Sequence, residues 1–100
     1  MGIQEQLSTT LHALADPTRR ELLRVLREEG DQTAGALAER FPLSKSTLSG
    51  HFAVLKAAGL VVTERQGARI VYSINQSSVE EALGALLALF TPSSVPMEQS

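Results

Sequence analysis

The sequence contains no cysteine and no tryptophan, and aromatic residues make up only 4% of its 100 positions. Without thiols there are no disulfides, thiolate metal sites, cysteine nucleophiles or thiol redox sensors. No segment approaches the run of about 20 apolar residues that crosses a bilayer, and Met1-Gly2-Ile3-Gln4-Glu5 is not a basic stretch leading into an apolar one. A cytoplasmic protein without membrane insertion is therefore expected. Catalytic hardware is equally scarce. There is no glycine-rich phosphate loop, no nucleophile beside a base, and no carboxylate pairing beyond the adjacent Glu28-Glu29 and Glu80-Glu81. His12 and His51 are the only histidines and have no evident carboxylate partner. Neither an enzyme nor a cofactor or metal site is expected.

What is present suits one soluble domain: 43% of residues are hydrophobic and 20% charged. A chain this short builds a single core and gains from a partner subunit. Its net charge of −2 hides an uneven distribution. Residues 44–72 hold Lys45, Lys56, Arg65 and Arg69 against Glu64 alone, whereas the remainder carries five basic and ten acidic residues. Local potential, not the total, steers a polyanion.

Helical periodicity organises the first sixty residues. Ile3, Leu7, Leu11 and Leu14 form one stripe. Asp16-Pro17 is an N-cap followed by a first-turn proline, opening a second helix to Glu29 with Leu22, Leu23, Val25 and Leu26 inward and Gly30-Asp31 at its end. Thr33 can cap a short third helix with Leu37 and Phe41 inward, which Pro42 stops. Ser44 then caps a fourth helix that Gly59 ends, with Leu48, Phe52, Leu55 and the following Leu60 on one face. Ser44, Lys45, Ser46, Thr47, Ser49, Gly50 and His51 crowd its opening turns. A short helix, a tight turn and a helix of this kind make a helix-turn-helix pattern. Small hydroxyl residues, a lysine and a glycine let such a helix approach a major groove closely. Taken alone, the same residues suit a plain solvated surface equally well.

Residues 60–65 and 69–74 are rich in β-branched side chains around Gln66-Gly67-Ala68, which predicts a hairpin with Leu60, Val62, Ile70, Tyr72 and Ile74 inward and Arg65 and Arg69 at its tip. Ser77…Glu80 and Ser78…Glu81 both have capping-box spacing for a last helix. From Ala82 to Phe90 that helix is apolar all round, so it needs a second partner, most simply another copy of the chain. Residues 92–100 read as a disordered tail to a domain spanning 1–91. The expected class is mainly α with a small β-hairpin (α+β), in the order α-α-α-α-β-β-α.

Ala13 to Leu23, Leu43 to Val61 and the Arg65-Gln66-Gly67-Ala68-Arg69 wing resemble the ArsR-type winged helix-turn-helix transcriptional repressors, most closely their cysteine-free, SdpR-like autorepressor branch. The resemblance implies a cytoplasmic homodimer that binds double-stranded DNA at a palindromic operator. It places Ser44, Lys45, Ser46, Thr47, Ser49, Gly50 and His51 on the DNA-reading helix and Arg65 and Arg69 on the wing. The dimer interface then involves Leu7, Leu11, Leu83, Leu86, Leu87 and Phe90. Many members have a histidine where Gly50 stands. The metal-sensing members' ligands are missing: the third helix reads Ala34-Gly35-Ala36-Leu37-Ala38, and the last offers only Glu80 and Glu81. For this branch a regulatory protein or an unknown ligand, rather than a metal, is the implied release signal. The rival reading is a winged helix kept as a protein-protein interaction module, without sequence-specific DNA binding.

Overall fold

The computed structural model describes residues 2–92, and the anticipated tail from 93 onward lies outside them. Its elements are α1 (Ile3–Leu14), α2 (Pro17–Glu29), β1 (Gln32–Thr33), α3 (Ala34–Arg40), α4 (Lys45–Ala57), β2 (Val61–Gln66), β3 (Arg69–Ile74) and α5 (Gln76–Ala88). The five helices and the hairpin match expectation; β1 is an addition. It pairs Gln32 with Tyr72 and Thr33 with Val71, making a three-stranded antiparallel sheet ordered β1-β3-β2. Two polar residues carry no periodicity, so only the tertiary pairing along β3 reveals them as a strand.

Local chemistry accounts for the helix ends. Asp16 Oδ2 accepts the N–H groups of Thr18 at 2.8 Å and Arg19 at 3.1 Å, and Thr33 Oγ1 accepts that of Ala36 at 3.1 Å. At the end of α4, Gly59 takes φ +77°, its N–H donates to Lys56 O at 2.9 Å, and Leu60 N–H donates to Leu55 O at 3.0 Å. Those paired bonds are a Schellman ending, which a residue with a Cβ would strain. The last helix starts earlier than either serine suggests: Asn75 Oδ1 accepts Ser78 N–H at 3.3 Å, so the cap is an asparagine.

The same turn corrects the hairpin. Leu60 is buried, but it belongs to the helix ending, and strand alternation restarts at Val61. Val61, Thr63 and Arg65 oppose Ile74, Tyr72 and Ile70, so these share the inner face. Val61 is accordingly 1% exposed and Val62, expected inward, is 45% exposed. The turn also has two residues, not three, since Gln66 pairs with Arg69 and Gly67 at φ +65° turns the chain.

One core joins all layers: Leu22, Val25 and Leu26 of α2, Leu37 of α3, Leu48, Phe52 and Leu55 of α4, and Val61 and Tyr72 of the sheet. Phe52 and Tyr72 stack with ring centroids 3.8 Å apart and planes 12° from parallel, which fastens α4 to the hairpin. Gln6 Nε2 reaches Ala58 O at 3.5 Å, and α1 in turn packs against α5.

Candidate nucleic-acid interface

The opening of α4 sorts its side chains by task. Ser44 Oγ accepts Thr47 N–H at 3.1 Å, donates to Thr47 Oγ1 at 2.9 Å and sits 3.2 Å from Ser46 Oγ, so its hydroxyl serves chiefly the cap. Leu48, Phe52 and Leu55 point into the core, leaving Lys45, Ser46, Thr47, Ser49 and Gly50 exposed together on the outer face. A Cβ on Gly50 would meet nothing within 4 Å, so internal packing gives no reason for glycine there. Its effect is to leave the helix surface low. Lys45 and Ser49 form one wall of a groove of about 430 Å³, with Ala68 and Arg69 of the wing opposite.

Electrostatics separates this surface from the rest. Arg24 pairs with Glu21 and, at 2.7 Å, with Glu28; Arg27 also reaches Glu28, and Arg40 pairs with Glu29. Hydrogen bonds from Arg24 and Arg40 hold the Glu21 and Glu29 carboxyls below their ordinary range. By contrast, among the described residues Lys45, Lys56, Arg65 and Arg69 have no carboxylate within 4.0 Å. Arg24, Arg27 and Arg40 are thus neutralised in place and Arg19 and Arg20 are tied to backbone carbonyls of α1, whereas the cations of α4 and the wing are free to meet an external anion. By register Arg65 starts from the face of Ile70 and Arg69 from that of Gln66, so the two guanidinium groups leave opposite sides of the ribbon.

His51 stands apart from its neighbours on α4. Its side chain is 18% exposed and faces the start of α2, with Nδ1 3.3 Å from Arg19 Nη1 and 3.9 Å from Asp16 Oδ2. The expectation that no carboxylate lies near a histidine therefore fails, because folding brings Asp16 from a distant segment. Desolvation pulls the Asp16 carboxyl upward, but the N–H groups of Arg19 and Thr18 and the fields of His51 and Arg19 outweigh it and hold it below its ordinary value. In the sequence Arg19 is one of several charged residues of α2. Its spacing of three from a capping aspartate is the only local signal, and nothing local points to His51.

The residues expected at a dimer interface differ in exposure. No residue of α5 is buried; Leu83 and Leu87 are exposed, Leu86 is half-buried, and Phe90, just past the helix, is 80% exposed. Leu11 of α1 is exposed beside them. Leu7 differs from them: at 5% exposure it is packed within the chain and has almost no surface to offer a partner.

A family model described as a helix-turn-helix domain matches residues 14–64. The transcriptional repressor SdpR of Bacillus subtilis is 37% identical over 81 residues, which cover 81% of this chain and 89% of that protein. The HTH-type transcriptional regulator NmtR of Mycobacterium tuberculosis is 40% identical over 78 residues, covering 78% of this chain and 64% of that one. The solved structure of an ArsR-like transcriptional regulator from Rhodococcus sp. RHA1 superposes with a TM-score of 0.79 at 31% identity, over 90% of this chain and 84% of that one. Relatives of this kind are regulators of transcription, which disfavours the interaction-module reading. Among the described residues no helix is long and apolar enough to cross a membrane. Fold, helix-turn-helix match and relatives together assign the chain to the ArsR-type winged helix-turn-helix repressors, a family of DNA-binding transcriptional regulators.

Proposed function

We propose that two copies of this chain, joined through α5 and the outer stripe of α1, repress transcription from a palindromic operator by laying their α4 helices in successive major grooves. The observation that carries this reading is the contrast in charge: Lys45, Arg65 and Arg69 lack an acidic partner among the described residues, beside a row of exposed hydroxyls. Lys45, Ser46, Thr47, Ser49 and Gly50 read base edges, Ser44 caps and contacts backbone, His51 borders the same surface, and Arg65 and Arg69 hold phosphates. Leu11, Leu83, Leu86, Leu87 and Phe90 form the dimer seam. Its ligand being the chromosome, the protein works in the cytoplasm. Release comes from a regulatory protein or a small ligand rather than from a metal, since the chain has no cysteine and Glu80 and Glu81 are adjacent on α5.

Selection of bound duplexes from a random pool tests the reading. It should return a palindrome whose half-sites lie about one helical turn, roughly 34 Å, apart. Recovery of sequences without shared symmetry, at affinities indifferent to salt, would overturn it.

A further inference from the structure

The contact between Arg19 and His51 has a chemical consequence. A guanidinium offers only donors and keeps its charge throughout the ordinary pH range. Arg19 Nη1 at 3.3 Å can therefore bond to His51 Nδ1 only while that nitrogen keeps its lone pair, which leaves the ring proton on Nε2. The guanidinium is itself held: Nε donates to Ala13 O at 2.7 Å and Nη2 to His12 O at 3.0 Å, carbonyls of the last turn of α1 that a helix end leaves short of partners. Its backbone is held as well, since Arg19 N–H donates to Asp16 Oδ2 at 3.1 Å. Among the described residues His51 Nε2 has no hydrogen-bond partner.

We propose that Arg19 is a positioning residue for DNA recognition: it locks His51 as the Nε2–H tautomer and so presents, at the edge of the reader helix, a neutral donor of fixed direction for a phosphate oxygen. The inference rests on α4 being the DNA reader. Arg19 contributes without touching DNA, by setting which nitrogen of a neighbour carries the proton. Asp16 sharpens the point. It lies 3.9 Å from the same Nδ1, so with Arg19 gone it becomes, among the described residues, the only charged group within 4.0 Å of that nitrogen, and a carboxylate draws the proton to it.

Long-range proton–nitrogen correlation spectra of the full chain, labelled at histidine and recorded above the histidine titration range, read the tautomer directly, with His12 as an internal control. The parent should show the Nε2–H pattern for His51, and Arg19→Met should shift it toward Nδ1–H while leaving His12 unchanged. Affinity for the selected operator should fall about 3- to 10-fold in Arg19→Met and in His51→Leu alike, with no further loss when the two are combined. His51→Gln keeps an acceptor for Arg19 and a donor for DNA, and should stay within about twofold of the parent. Should Arg19→Met not fold, the His51→Leu and His51→Gln pair decides the matter. A mixed or Nδ1–H parent, or losses that simply add, would overturn the inference. Because the tautomer is read without DNA, that failure is distinguishable from a parent that binds no duplex, which would remove the reader assignment itself.

Discussion

Helices α4 and α5 have the same length, 13 residues, and opposite outward faces. The first buries Leu48, Phe52 and Leu55 and shows hydroxyls, a lysine and a glycine to solvent; the second buries nothing fully and shows leucines. A polar outward face over a packed core is finished within one chain. An apolar one is not, and contiguous exposed leucines mark a surface meant for protein. The contrast underlies the proposed division of labour, in which α4, set by its own core, meets a polyanion and α5 recruits the second copy that doubles the contact.

The largest expected break in that contrast is Leu87→Asp. The side chain is 64% exposed, so the protomer should fold, but sedimentation should show monomers at micromolar concentration and operator affinity should fall roughly 100- to 10,000-fold as the half-sites uncouple. An unchanged sedimentation profile would remove the seam. Leu55→Ala on α4 should behave differently, costing about 2–5 kcal/mol in denaturant unfolding at every protein concentration, because Leu55 is fully buried within the protomer. The next effect concerns the wing. Arg69→Ala should weaken binding to all duplexes alike and make the salt dependence shallower by about one phosphate's worth; identical salt slopes for variant and parent would unseat Arg69.

Helix existence and most of the core were legible because period, caps and breakers agree from Ile3 to Leu60. The hairpin register was not. Leu60 and Val61 are both buried, and only the helix-ending turn, a matter of Gly59 geometry, decides which begins the strand. Leu7 looks identical to Leu11 in the sequence, four residues away on the same stripe; both face α5, but only Leu7 also faces the end of α4, and it is buried while Leu11 is exposed. The exposed polar face of α4 was visible as a row of small polar residues. The tie from His51 to Arg19 and Asp16 was not, since those groups meet only when α2 crosses α4.

Two smaller effects sharpen the account of α4. Gly50→Ala should stabilise the helix by about 0.8–1 kcal/mol, seen as a higher Tm, because nothing in the protein crowds the added methyl. If the low surface serves close approach to DNA, operator affinity should fall at the same time; a rise in both would show the glycine to be incidental. The smallest effect is at the base of the same helix pair. Asp16 is held below its ordinary pKa, so its contribution to stability is complete above the usual carboxylate range and fades as pH falls through the lowered value. Asp16→Asn should therefore lower Tm by a few degrees near neutrality, and its melting curve should converge with the parent's in acid; a constant gap would contradict the charge-based account.

The division of labour between the two helices is tested most directly by separating the half-sites of the selected operator by half a helical turn, about five base pairs, and measuring binding at fixed salt. If α5 joins two copies so that both α4 helices face one side of the duplex, the insertion should cost the parent at least about 100-fold while leaving Leu87→Asp nearly indifferent. Equal affinity of the parent for both spacings would contradict it.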